Sequence, residues 1–325
     1  MPKILIIRFS SIGDIVLTTP VARCLKQQVP GAEVHYLTKK QYAPLLAANP
    51  YIDRIWAFED NFGELMPELK KQQFDFIADL HRNARSAWVV VNLRRPAATF
   101  PKLNLQKWLL ATFRMDLLPN VHIVDRYFKA VRKFGIRNDG KGLDHFIPPA
   151  EEVDLTILPE SHRDGYYAFV IGARHNTKIF PAERVAALCA RLSRPVVLLG
   201  GPEDHHRAIL IASLAGGRVF NACGQFTINQ SASLIRQSEK VITNDTGLMH
   251  IAAALKKPVV SIWGNTVPAF GMYPYLPEEM QKLSTIVEVK GLHCRPCSKL
   301  GYDACPKKHF DCMNRIDDDQ ILSGL

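Results

Sequence analysis

Residues 3–14 read Lys3-Ile4-Leu5-Ile6-Ile7-Arg8-Phe9-Ser10-Ser11-Ile12-Gly13-Asp14. Ile4–Ile7 is an unbroken aliphatic run, the pattern of a strand covered on both faces, and it ends in a short polar turn with one glycine. A helix pattern follows over Asp14–Gln28, then a second strand over Glu33–Thr38. Strand, helix and strand in that order form a βαβ unit, so the fold opens as an α/β fold on a parallel sheet.

The alternation continues in both directions from this start. Helices are expected at Gln41–Ala48, Gly63–Gln72, Ala84–Leu93, Leu105–Phe113 and Ile123–Phe134, with strands at Arg54–Phe58 and Phe74–Asp79. Between Gly140 and Asp164 the periodicity fades into prolines and mixed charges, the composition of a linker. The pattern then restarts with strands at Tyr166–Ile171, Val196–Gly200, Arg218–Asn221, Lys240–Thr243 and Val259–Trp263, separated by helices. Two Rossmann-like domains follow, 1–155 and 156–325. A length of 325 residues suits two domains, each able to bury its own core.

Composition narrows the class of protein. Hydrophobic residues at 47% and charged residues at 22% are ordinary globular usage, not disorder. No apolar run reaches the roughly 20 residues that cross a bilayer, and Arg8 interrupts the first run before signal-peptide length, so a cytoplasmic protein is expected. Lys and Arg number 41 against 31 Asp and Glu, a formal charge of +10 that favours anionic partners. Nucleic acid is disfavoured, because no RNP motif, zinc-finger spacing or basic heptad helix is present.

In open α/β sheets ligands bind beyond the carboxyl ends of the strands. The turns that matter are therefore Ser10–Asp14, Asp79–Arg85, Gly172–Lys178, Gly200–Asp204, Asn221–Gln225, Asn244–His250 and Gly264–Pro268. In the first, Gly13 permits a tight turn and the helix N-terminus offers N–H groups to an anion. Asp14 either lends a carboxylate to the crevice or caps the helix. The turn lacks G-x-G-x-x-G, which disfavours a nicotinamide dehydrogenase. Arg174, His175, Asn176 and Lys178 precede Phe180-Pro181 at a helix start, where a cation would neutralise a diphosphate. Asn244-Asp245-Thr246-Gly247-Leu248-Met249-His250 is a polar turn opening an apolar helix, suited to holding phosphate or to capping with a buried histidine. Gly200-Gly201-Pro202-Glu203-Asp204 reads first as structural punctuation.

Seven cysteines occur, and four cluster late: Cys294, Cys297, Cys305 and Cys312. The Cys-x2-Cys pair resembles half of a structural zinc site, yet gaps of seven and six residues do not match a second such pair. Structural zinc, reduced thiols and disulfides are the alternatives.

Taken together, the Ser10-Ser11-Ile12-Gly13-Asp14 turn, the Lys178-x-Phe180-Pro181 helix entry and the Asn244-Asp245-Thr246-Gly247-Leu248-x-His250 turn resemble the ADP-heptose:lipopolysaccharide heptosyltransferases of glycosyltransferase family 9. The late Cys-Arg-Pro-Cys stretch is similar to that of some members, and the resemblance covers nearly the whole chain. It implies the GT-B architecture, with an N-terminal acceptor domain and a C-terminal nucleotide-sugar domain facing across a cleft. It also implies inverting transfer that needs no catalytic metal or other cofactor, with Asp14 as general base and Lys178 on the phosphates. Gly13, Asn244, Asp245, Thr246, Gly247, Leu248 and His250 would then bind the donor.

On the acceptor side, Ser10, His81, Arg82, Arg85, His122 and Arg126 are expected to contact an anionic core sugar, since Arg suits bidentate pairing with phosphate or carboxylate. The implied partners are ADP-heptose or a related nucleotide sugar, an anionic lipid-linked oligosaccharide, and the inner membrane as a peripheral contact. Alternatives are a UDP- or GDP-sugar donor, an epimerase of the same fold, or a catalytically silent nucleotide-binding protein.

Overall fold

The structure is a computed structural model and describes residues 1–325. The chain divides into two compact units, one of residues 1–102 and 121–148, the other of residues 103–120 and 149–325.

The first unit carries β1 (Lys3–Ile7), β2 (Glu33–Lys39), β3 (Arg54–Phe58), β4 (Phe76–Asp79) and β5 (Ala97–Thr99). All are parallel, in the order β3-β2-β1-β4-β5. Ile4 stands opposite both Val34 and Phe76, so β1 is the central strand, and Ile4–Ile7 are wholly buried, as its continuous apolar run requires. The helix expected over Asp14–Gln28 is two helices, Ile12–Val16 and Thr19–Gln28. The break falls at Leu17–Thr18, just before Pro20, which has no N–H to continue the ladder. Gln41–Ala48 forms a 3-10 turn at Lys40–Leu45, around Pro44.

The second unit carries β6 (Tyr167–Val170), β7 (Val196–Leu199), β8 (Val219–Asn221), β9 (Lys240–Asn244), β10 (Val259–Trp263) and β11 (Ser284–Glu288). The order is β11-β10-β9-β6-β7-β8, again all parallel. Both sheets therefore reverse strand order beside their first strand, at β1/β4 and at β6/β9. Turns leaving these strand pairs diverge to opposite faces and leave a crevice at the carboxyl edge.

The edge strands β5 and β11 add to the strands that the sequence pattern marks. Each pairs on one side only, and β5 is three residues long, too short for an alternation to register.

Candidate functional site

At the first crevice, the turn after β1 is organised by a residue the sequence offered only as the end of an apolar run. Arg8 is almost fully buried. Its Nη2 lies 2.6 Å from Asp14 Oδ1, its Nη1 donates to the Leu80 carbonyl after β4 at 2.6 Å, and its Nε donates to the Ser10 carbonyl at 2.8 Å. One guanidinium thus ties the turn after β1 to the turn after β4. The other Asp14 oxygen accepts from Ser11 Oγ at 2.9 Å and from the Ser11 N–H at 3.3 Å. Capping the helix and presenting a carboxylate are therefore combined in one side chain. Gly13 lies inside helix Ile12–Val16, so it serves a helical turn rather than the tight turn expected of it.

Burial alone would raise the Asp14 carboxyl. The Arg8 charge and the two Ser11 hydrogen bonds outweigh it and hold Asp14 below the ordinary carboxylate range. His81 packs its ring 4.7 Å from that of Phe9 and keeps a buried Nδ1 with no hydrogen-bond partner. Burial, then the charges of Arg8 and Lys102, push its pKa down to about 3, so the ring is neutral.

The remaining basic residues divide by environment. Arg82 Nη1 donates to the Phe100 carbonyl at 2.8 Å, and its backbone N–H is held by Asp79 Oδ1 at 2.8 Å. Arg85 lies over the Phe58 and Phe62 rings, 5.6 and 5.3 Å from their centroids. With Phe62 and Trp88 it lines a cavity of about 550 Å³. His122 and Arg126 are buried rather than set on an open basic face: His122 Nδ1 accepts the Val124 N–H at 3.2 Å and caps helix Ile123–Phe128.

The second crevice is built the same way. Lys178, from the turn after β6, places Nζ 2.6 Å from Asp245 Oδ2, from the turn after β9. Thr266, from the turn after β10, donates to that oxygen at 2.7 Å. Asn244 locks the two first turns together: Oδ1 accepts the Phe180 N–H at 3.2 Å and Nδ2 donates to the Ile171 carbonyl at 2.9 Å. Thr246 takes the N-cap position of helix Gly247–Ala254 without a side-chain cap, which leaves the first N–H groups there to a ligand. Leu248 and His250 are buried on that helix. Next to Thr266, Asn265 holds a buried Oδ1 with no donor. Thr266 and Asn265 lie in the Gly264–Pro268 turn that the sequence marks, but nothing in the sequence singles them out there, since one polar pair after a strand has no distinguishing spacing.

Gly200–Asp204 is more than punctuation. Asp204 is buried, accepts the Gly201 N–H at 3.1 Å and pairs with Arg207 at 2.6 Å. Its carboxylate occupies the space a Cβ on Gly172 would need, so the turns after β6 and β7 meet across a missing side chain.

The late cysteines are all free. Cys294 Sγ lies 3.8 Å from His309 Nε2, Cys297 Sγ donates to the Cys294 carbonyl at 3.0 Å, and Cys312 is buried in the core of the second unit. No three His, Cys, Asp or Glu side chains are gathered as a metal shell. Arg295, between the cysteines, is the structural tie: it reaches Glu288 at 2.7 Å and the Thr266 carbonyl at 2.8 Å, fastening the segment to the turn after β10.

Two parallel sheets of this order, each with a polar crevice at its reversal point, are the GT-B fold. Residues 62–301 match the model of glycosyltransferase family 9 (heptosyltransferase), and the chain belongs to that family. It is 26% identical over 321 residues to lipopolysaccharide heptosyltransferase 2 of Salmonella typhimurium, covering 90% of this chain and 89% of that one. Among solved structures it is similar to a family 9 glycosyltransferase from Veillonella parvula, with a TM-score of 0.79 and 21% identity over 99% of this chain and 95% of that one. It is also similar to ADP-heptose lipopolysaccharide heptosyltransferase II of E. coli, with a TM-score of 0.73 and 21% identity over 99% of both chains.

Proposed function

We propose that this glycosyltransferase moves heptose from ADP-heptose to an anionic sugar of the lipopolysaccharide inner core, with inversion at the anomeric carbon. The observation that carries the reading is the Arg8–Asp14 pair, which keeps an ionised carboxylate at the reversal point of the first sheet.

In this mechanism the acceptor hydroxyl oxygen attacks the anomeric carbon from the face opposite the diphosphate. The new C–O bond forms as the bond to the ADP oxygen breaks, and the hydroxyl proton passes to Asp14. Arg8 holds Asp14 in place and keeps it unprotonated before the step. Lys178 and the uncapped N–H groups at Gly247 stabilise charge collecting on the leaving diphosphate, while Thr266 fixes the Asp245 partner of Lys178. The unit that carries β1–β5 would serve the acceptor, with Ser10, His81, Arg82 and Arg85 around the crevice, and the unit that carries β6–β11 the donor. No step requires a metal or cofactor. The acceptor, being lipid-linked, lies at a membrane surface.

The test is mass-spectrometric detection of sugar transfer from ADP-heptose to lipopolysaccharide-core acceptors, run beside Asp14→Asn. A heptose mass added by the parent and lost in the variant supports donor, reaction and base together. Consumption of a UDP- or GDP-sugar instead would reassign the donor. Binding of ADP without turnover of any donor would sink the transferase mechanism.

A further inference from the structure

Helix Asn104–Phe113 buries Lys107 and Leu110 and leaves much of its apolar surface outward. Its apolar stripe is regular: Leu105, Trp108, Leu109 and Thr112 fall at i, i+3, i+4 and i+7, the spacing that normally faces a core. Yet Leu105 is 63% and Trp108 50% exposed, while Lys107 on the opposite side is 8% exposed, with Nζ over the Phe270 ring at 5.4 Å. The outward apolar surface continues past the helix end through Phe113, Met115 and Leu117, each at least half exposed, and Trp108 and Phe113 pack edge to face at 5.2 Å.

This orientation is not a loose end of the chain. Arg114 donates to the His293 carbonyl at 2.8 Å and the Pro296 carbonyl at 3.0 Å, and Lys299 Nζ donates to Asn104 Oδ1 at 3.2 Å. Both ends of the helix are thereby tied to the cysteine-bearing segment, whose Leu300 and Tyr302 are also exposed. The stripe is held outward by fixed contacts.

We infer that this surface docks on an anionic lipid bilayer, with Leu105, Trp108, Phe113, Met115 and Leu117 entering the interface. Charge decides the occupant. With the buried Lys107 and the Glu288-paired Arg295 set aside, residues 103–120 and 289–310 expose five Lys or Arg (Arg114, Lys290, Lys299, Lys307 and Lys308) against Asp116 and Asp303. A net basic rim around an aromatic and aliphatic patch complements anionic headgroups, and it would repel its own image in a second copy of the chain. At ten residues the helix is too short to cross a bilayer, and no helix of the structure is long and apolar enough to do so, so it lies on the surface. The inference rests on the proposed function only in that a lipid-linked acceptor lies in a membrane, and its test uses no donor or acceptor.

The experiment is co-sedimentation of the full chain with vesicles of equal phosphatidylcholine and phosphatidylglycerol, and with vesicles of phosphatidylcholine alone. Binding is expected to the anionic vesicles, weakened by salt. It should fall at least about tenfold in Trp108→Ser with Phe113→Ser, at unchanged circular dichroism. Lys307→Glu with Lys308→Glu should weaken anionic binding while leaving the apolar patch intact. Failure of the parent to bind, or equal binding by the serine variant, overturns the inference. So does a dimer of the parent that the serine variant loses in sedimentation, which would give the surface to a second copy.

Discussion

Arg8 Nη2 stands 2.6 Å from Asp14 Oδ1, and the same guanidinium reaches the Leu80 carbonyl at 2.6 Å. One buried cation therefore sets both the position and the ionisation of the proposed base. A weakly basic carboxylate that stays ionised until it takes the proton suits a reaction in which the hydroxyl proton leaves late, once the new bond has drained charge from the oxygen.

Asp14→Asn should keep the fold and donor affinity and lose roughly 10²- to 10⁴-fold in turnover. Asp14 titrates below the ordinary carboxylate value of about 4. Its contribution to stability is thus complete above that value and lost as pH falls through the lower folded value. It creates no acid limb in activity between about pH 5 and 8. A rate profile of the parent is the check. An acid limb near neutrality that moves in Asp14→Glu would show that Asp14 titrates there and refute the pairing.

His81 gives the opposite kind of pH signature. With its folded pKa pushed down to about 3, it stays neutral in the fold but takes a proton in the unfolded chain below its ordinary value of about 6.5. Stability should therefore fall as pH drops from about 6.5 toward 3. His81→Asn should flatten that decline. Urea unfolding of both proteins at pH 4.5 and 7.5 measures it, and an equal decline in the two would exclude His81 as a source.

Lys178 and Asp245 form the corresponding pair of the second crevice. Lys178→Ala removes the cation expected on the diphosphate, and a lost charged hydrogen bond of about 1.5–3 kcal/mol corresponds to roughly 10- to 150-fold weaker ADP binding. Thr266→Val removes one bond to Asp245 and leaves the ion pair, so its effect should be about fivefold or less. Calorimetric titration with ADP orders the two variants; equal affinities would show that Lys178 does not meet the nucleotide.

Much of this arrangement is legible in the chain, and the reasons for the gaps are physical. Central strands such as β1 are buried on both faces and announce themselves as apolar runs, and the turns at their ends stand out because they are polar. Edge strands β5 and β11 carry no such run. Asp14, Lys178 and Asp245 could be named from motif order, whereas Arg8, Asn265 and Thr266 are distinguished only by what folding brings beside them. The stripe Leu105–Thr112 is the reverse case. Its periodicity identifies a helix correctly, and the usual inference that the apolar side faces a core fails, because Arg114 and Lys299 hold that side outward.

Gly224 should be the more demanding of two left-handed glycines. At φ +73° its Cβ would lie 2.9 Å from the Pro202 Cα, which is backbone and has no freedom to withdraw, whereas Gly135, at φ +67°, has open space around it. Gly135→Ala should lose only the left-handed penalty, about 1 kcal/mol, while Gly224→Ala should lose at least about twice that by adding the contact with the turn after β7. Urea midpoints of the two variants compare them. Equal losses would mean that the turn after β7 yields freely.

Thiol labelling should resolve the cysteines into two groups. Burial pushes Cys24 up to about 11 and Cys189 up to about 12, and raises Cys223 as well, so none offers thiolate at neutral pH. Burial and the neighbouring cysteines also raise Cys297 to about 11 and Cys312 to about 12. Cys294 and Cys305, only partly buried, are left as the fast-reacting pair. A chromogenic disulfide reagent at pH 7 should therefore modify about two thiols per native chain quickly and the others only on unfolding. If a metal occupies the segment, both fast thiols become protected and a chelator restores them, because a metal-bound thiolate no longer attacks the reagent. Fast labelling of a third thiol without unfolding would show that the segment opens more readily than the ties of Arg295 to Glu288 and the Thr266 carbonyl allow.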